Sequence, residues 1–277
     1  MQGTSHLLVF ETLSFPCSFA ARSFVRSAAA IRGGVDWPTA VAIVLLAATA
    51  AFIQALSGFG FSLFIVPLLA LLIGPKDTVV LANLLSTFSN SMQTFTLRHS
   101  ANRRVAGRLM VGSLAGMPFG LAVLLLLDAA TLQVVIAVMV IVFTVVLMRG
   151  FEIHRAGRVG DFGAGLTSGV LNTSTSMSGP PVVLYLQGRG MGPLEFRATI
   201  SLFFLVTSAV AVVLLAASGT SKAYLFLAWA LSVPAIVVGQ RLGNAWFERV
   251  DPESFRKMVY AILLVSGAMA IVGAMAT

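Results

Sequence analysis

The sequence predicts an all-α, polytopic transmembrane bundle of about 8–10 membrane segments arranged as two repeated halves. Three observations predict it. Apolar residues make up 58% of the chain, charged residues only 10%, and the mean hydropathy is +0.95. Soluble domains carry about 25% charged residues, so this chain is built for lipid. Long runs lack any Asp, Glu, Lys or Arg: 78–97, 109–127, 129–148, 198–217, 223–240 and 258–277. Most hold about 20 residues, which as a helix crosses roughly 30 Å of hydrocarbon. Finally, a series of polar and proline landmarks in the first half recurs, in order, in the second.

Residues 1–36 stand apart. Arg22, Arg26 and Arg32 lie among Ser and Ala, with Glu11 the one acid before Asp36. The composition is that of a transit peptide or of a disordered leader, and the leader is the reading adopted. No small-residue cleavage site follows a compact apolar core, so no cleaved signal is expected.

The first half covers 37–150 and the second 151–277. Each opens on a broken apolar element. In the first, Ser57-Gly58-Phe59-Gly60 interrupts the stretch 37–73, and Gly74-Pro75 and Asp77 follow. In the second, Thr173 to Gly179 interrupts 162–188, and Gly192-Pro193 and Glu195 follow. The offset is 118 residues. Later, Leu127-Asp128 with Leu132 matches Val250-Asp251 with Phe255 at an offset of 123. Mid-span prolines Pro118 and Pro234 also correspond. Repeats of this kind are the sequence mark of a duplicated architecture.

Three full helices follow each broken element. If the broken element crosses once, the halves are parallel. If it enters and returns as a hairpin, each half has five segments and the halves are inverted. Lys and Arg concentrate on the cytoplasmic side of membrane proteins. The inverted scheme puts Arg98, Arg103, Arg104, Arg108, Arg149, Arg155, Arg158, Arg189, Arg197, Arg241, Arg249, Arg256 and Lys257 on one side. It leaves Lys76 and Lys222 on the other. It is the arrangement expected. Gly112, Gly116 and Gly120 recur every four residues, which lets a neighbouring backbone approach closely.

The net charge of +8 fits this loop bias. No run of five or more bases suggests a nucleic-acid arm. Cys17 is the lone cysteine, and His6, His99 and His154 are far apart, so neither a disulfide framework nor a metal centre is expected. No paired carboxylates, and no serine with a nearby base, mark an enzyme. No cofactor is implied.

The two breaks are where chemistry is expected. Residues 61–73 span about 20 Å as a helix, at about 1.5 Å per residue, and 180–188 span less. Each break therefore lies within the membrane, where irregular backbone must be buried or line a polar cavity. Paired interrupted segments point to a transporter's binding site. Both breaks lead into helix N-termini, which offer free N–H groups and partial positive charge. Two such ends converging make an anion site without a buried cation. The residues expected around it are Gln54, Ser57, Gly58, Phe59, Gly60, Asn83, Asn90, Asn172, Ser174, Thr175, Ser176, Ser178, Gly179, Pro180 and Arg197. Ser178 is placed as a helix cap. Thr173, Ser86, Ser89 and Gln93 belong to the same set of candidates, and Arg197 is read as a steering charge or an interfacial anchor. The same Ser, Thr and Gly also serve simple packing and backbone satisfaction.

At these breaks the sequence resembles the sulfite exporter TauE/SafE family of permeases. The resemblance lies in Gln54-Ala55-Leu56-Ser57-Gly58-Phe59-Gly60-Phe61 with Pro67, and in Gly169-Val170-Leu171-Asn172 through Ser178-Gly179-Pro180-Pro181. Phe196-Arg197-Ala198-Thr199 with Phe203-Phe204 is similar to the segment after the second signature. The first break departs from the family's common triple-glycine form, with Phe59 and Phe61 flanking Gly60. The resemblance implies passage of small sulfur-containing anions across the cell membrane, usually as export, with Ser57, Gly58, Gly60, Ser178, Gly179 and Pro180 as signature positions. The expected partners are a small anion and the bilayer, with a homodimer admitted. A passive anion channel and a non-transporting scaffold are the alternative readings.

Overall fold

The computed structural model describes residues 36–149 and 157–247. The leader, His154 and the final apolar run with its Val250-Asp251 landmark lie outside them. Every regular element among the described residues is an α-helix: α1 (Trp37–Ser57), α2 (Phe61–Ile73), α3 (Pro75–Leu97), α4 (Arg103–Leu126), α5 (Ala129–Met148), α6 (Arg158–Thr175), α7 (Gly179–Gln187), α8 (Pro193–Ala217) and α9 (Ala223–Trp246). Five of them, α1, α4, α5, α8 and α9, are long and apolar enough to cross a membrane.

The landmarks expected from sequence fall on element boundaries. Helix α1 ends at Ser57 and α6 at Thr175; α2 begins at Phe61 and α7 at Gly179; α3 begins at Pro75 and α8 at Pro193. Each pair is separated by the 118-residue offset. Proline at the start of α3 and α8 sits where its missing N–H costs nothing.

Helix α3 is too polar to count among the apolar spans, and its packing shows why. Thr78, Asn83, Ser86, Ser89, Asn90 and Gln93 are all buried. It runs through the interior, sheltered from lipid, and its polar side chains meet protein.

Side-chain pairings fix the helix directions. Asp77, at the start of α3, bonds Lys222 Nζ at 2.7 Å and Tyr224 just before and within α9. At the opposite face, Asn102 Nδ2 donates to Glu195 at 3.0 Å, and the Asn102 N–H donates to Thr199 Oγ1 at 2.9 Å. Helices α3 and α8 are therefore antiparallel neighbours. Tyr185, near the end of α7, hydrogen-bonds Gly157 at the start of α6, so α6 and α7 form a hairpin. Gly239 packs on Ala48, and Gly243 on Phe52 and Ala55. Numbering rises together along α9 and α1, so α1 starts on the Asp77 face, where α2 also ends.

The closest seam joins α4 to α6. A Cβ at Gly112, Gly116 or Gly120 would overlap the carbonyl oxygens of Phe162, Leu166 and Val170 respectively, and one at Gly165 or Gly169 would overlap those of Leu109 and Ser113. Glycine on both sides lets the backbones touch, the small-residue packing expected where no hydrophobic effect drives helices together.

The Asn102 face also carries a buried ion cluster. Asp161, fully buried in the first turn of α6, is 3.4 Å from Arg108 and 3.2 Å from Arg189, and it accepts the Tyr185 hydroxyl at 2.9 Å. Two cations and a phenol satisfy a carboxylate that would be costly if left alone.

Candidate functional site

The two breaks meet. One cavity is lined by Gln54, Gly60, Phe61, Ser62 and Leu63 from the first, by Asn172, Met177, Ser178 and Gly179 from the second, and by Ser86, Asn90 and Phe204. It is a small cavity of about 20 Å³, partly open to its surroundings. The lining is paired across the 118-residue offset: Gln54 with Asn172, Gly60 with Ser178, Phe61 with Gly179, Ser86 with Phe204.

The electrostatics come from backbone. The first helical bond of α2 runs from the Phe64 N–H to the Gly60 oxygen at 3.0 Å, and no side chain caps the helix. The amides of Phe61, Ser62 and Leu63 therefore have no partner within the helix and sit at the cavity wall. Helix α7 differs. Its N1 residue is Gly179, followed by Pro180 and Pro181, which have no N–H to offer. Ser178 therefore does not cap α7, contrary to the sequence expectation. A capping hydroxyl needs an N–H at the second or third helical position, and both are proline. The Ser178 hydroxyl is left free in the cavity wall.

A polar network backs the cavity. Gln54 Nε2 donates to Asn90 Oδ1 at 2.8 Å, and the Ser89 hydroxyl donates to Gln54 Oε1 at 2.5 Å. Gln240 Nε2 donates to the Ser89 oxygens at 2.6 and 2.7 Å. Asn90 Nδ2 donates to the Ser86 oxygen at 2.8 Å. These bonds fix Gln54 and Asn90. Asn172 is different: 2% exposed, its Nδ2 has no acceptor. A buried amide donor without a partner beside the cavity is a group waiting for a ligand.

Of the residues expected at the site, the structure brings Gln54, Gly60, Ser86, Asn90, Asn172, Ser178 and Gly179 to the cavity. The others lie behind or beside it. The Ser57 hydroxyl is 2.8 Å from the Ile53 oxygen and 2.5 Å from the Phe59 oxygen, closing the first break on itself. Phe59 packs edge-on to Phe196 at 6.5 Å. The Ser174 and Thr175 hydroxyls bond back to Val170 and Leu171. Asn83 lies next to the second break and Ser176 within it, and Pro180 is buried in the first turn of α7.

Arg197 is neither a steering charge at a mouth nor part of the cavity lining. It is 5% exposed, and its guanidinium donates to the Ala55 oxygen at 2.5 Å and to Asn244 at 3.0 Å. It also lies 4.2 Å from the centre of the Phe247 ring. It caps the C-terminal, partially negative end of α1. Gly58 makes room for it: φ is +83°, and an added Cβ would lie 2.6 Å from Arg197 Cγ. Replacing Gly58 with alanine is expected to cost about 1–2 kcal/mol from the left-handed backbone alone, with Arg197 displaced besides. Thermal unfolding of the purified protein checks this, and an unchanged Tm contradicts it.

Phe61, Ser62, Leu63, Met177 and Phe204 were not expected in the lining. The offset held the signal for Phe204, which matches Ser86 in the other half. Gln240 was not expected in the network either, and nothing local in its apolar helix marks it.

The match to a known family covers both breaks. The model of the sulfite exporter TauE/SafE family matches residues 42–270, most of the chain. The chain belongs to the TauE/SafE family. Its relatives include a "Probable sulfite/organosulfonate exporter TauE" of Cupriavidus necator, 29% identical over 225 residues, covering 78% of this chain and 88% of that protein. A "Probable inner membrane transporter protein TsaS" of Comamonas testosteroni is 31% identical over 106 residues, 38% of this chain and 44% of that protein. No solved structure matches. As a TauE/SafE protein, the chain is a multi-pass cell-membrane transporter, not an enzyme.

Proposed function

We propose that the cavity between the two breaks binds a small, singly charged sulfur oxyanion, sulfite in its hydrogen-sulfite form or a short organosulfonate, and passes it across the membrane. The observation that carries this reading is the convergence of two helix N-termini on one cavity whose lining holds no Lys or Arg. The α2 terminus carries up to about half a positive charge, and α7, with proline at two of its first three positions, carries less, so the pair suits no more than one negative charge. The unbonded amides of α2, the amide of Gly179, the Ser178 hydroxyl and Asn172 Nδ2 supply donors for oxygen. Phe61, Leu63, Met177 and Phe204 supply an apolar wall for the remainder of a sulfonate. The name of the Cupriavidus necator relative points to the same substrate class.

The proposed chain is two inverted halves, with the Arg-rich Asn102 face in the cytoplasm. The shared 118-residue boundaries support this, as do the α6–α7 hairpin, the return of α2 to the face where α1 starts, and the antiparallel α3 and α8. In a parallel duplication, α3 and α8 would run the same way.

Proteoliposome flux with sulfite, sulfate, short sulfonates and short carboxylates tests the proposal. Saturable, trans-stimulated exchange of sulfite or sulfonates, with doubly charged sulfate at least roughly tenfold poorer, is expected; losing a matched charge costs on the order of one decade or more. Flux that does not saturate and shows no counterflow makes the protein a channel. Equal use of sulfate overturns the single-charge argument.

A further inference from the structure

Both breaks open on a left-handed residue, but their electrostatic endings are opposite. At the first, Gly58 takes the left-handed conformation, and the C-terminal carbonyl of Ala55 is covered by the Arg197 guanidinium. At the second, Ser176 takes that conformation, with φ +59°, as the only described non-glycine residue at positive φ. At the 118-residue offset, Thr173 corresponds to Ala55 and Val79 to Arg197. The position that corresponds to the first break's cation is therefore aliphatic.

The acceptors are left open as a result. The Ser176 N–H turns back to the Asn172 oxygen at 2.9 Å, and the Met177 N–H to the Leu171 oxygen. No described donor reaches the carbonyl oxygens of Thr173, Ser174 or Thr175. The Ser176 hydroxyl, 1% exposed, has no partner. Asn83, fully buried, donates through Nδ2 to Val79 at 2.9 Å and to the same Asn172 oxygen at 3.4 Å, while its Oδ1 accepts nothing. Asn83 and Ser176 thus lean on one carbonyl, each with an unused oxygen beside the negative end of a helix. A non-glycine residue held at positive φ costs about 1 kcal/mol or more, and such strain collects where a side chain has a task.

We infer that the C-terminal end of α6 binds a sodium ion, through Asn83 Oδ1, the Ser176 hydroxyl and the open carbonyls of the second break. Hard cations take oxygen ligands, and the ends of broken helices are suited to hold them in membranes. The ion takes the place that Arg197 fills permanently at the first break. Asn172 joins the two sites, its carbonyl on the cation side and its side chain at the anion cavity. A bound cation therefore favours a bound anion, and by linkage the reverse. The inference uses the pairing of the halves, but its test needs no anion.

Thermal unfolding of the purified full chain in detergent is measured in sodium chloride and in choline chloride at equal ionic strength, with no sulfur anion present. Sodium is expected to raise Tm saturably, by roughly 3 °C. Ser176→Gly, which suits the backbone and removes the hydroxyl, is expected to stay folded in choline and to lose the sodium response. Asn83→Ala is expected to lose it too. An equal rise in choline, no saturation, or a full sodium response in Ser176→Gly overturns the inference. Failure of anion flux alone leaves this result standing and bears on the anion site instead.

Discussion

Anion flux in proteoliposomes is expected to fall at least about 100-fold when Ser178 and Gly179 are both replaced by leucine. Each loses something different. Ser178 is a hydroxyl at the cavity wall with no other hydrogen-bond partner, freed by the two prolines that follow it. A hydrogen bond to a charged group is worth about 1.5–3 kcal/mol, or roughly 10–100-fold. Gly179 holds the wall open: its missing side chain faces Phe204, with an added Cβ 3.7 Å from Phe204 Cζ. A Cβ alone fits at that distance, but a leucine extends into the space the anion needs. Both side chains are apolar and both positions line a cavity, so the protein is expected to fold and reach the membrane. Membrane fractionation and Tm check that, while flux reads the site. Normal flux in this variant would remove the cavity from the mechanism.

The largest stability effect is expected at the α4–α6 seam. Gly116→Val places its Cβ against the Leu166 oxygen, which belongs to helical backbone and cannot rotate away. The helices must separate, and Gly112 and Gly120, on the same seam, lose their contacts with α6 as well. Overpacking typically costs about 1–3 kcal/mol, and backbone against backbone puts this substitution at the top of that range. A fall of roughly 10 °C in Tm is expected. An exposed control on α4, Val111→Ala, 61% exposed, is expected to change Tm little. Equal effects of the two substitutions would mean that the seam is not what holds the halves together.

Much of this was legible in the sequence because it is local. A break in an apolar run, a Gly-Pro helix start and a glycine every fourth residue are marked by residue type alone. The offset of 118 residues located both breaks and, through them, the cavity. What was not legible depends on which helix faces which. Arg197 reads as a loop-edge base, yet α1 and α9 enclose it, and its partner is a backbone oxygen of a helix far away in sequence. Ser178 has a capping residue's identity and place. The prolines after it are favourable helix starters, and the same prolines remove the amides a cap would bond. Asp161 reads as one more charge near a helix start, and only the fold brings Arg108, Arg189 and Tyr185 to it. Polar α3 is a poor span by composition, and its burial behind the other helices explains why it need not be a good one.

The central claim is that the two halves share one anion site. Equilibrium binding of radiolabelled sulfite, or of a short labelled sulfonate, to the purified protein tests it most directly, with Gln54→Leu from the first half and Ser178→Leu from the second. The account predicts one anion per chain in the parent protein and loss of that binding in either variant alone. Two independent sites, or full binding that survives in one of the two variants, would contradict it.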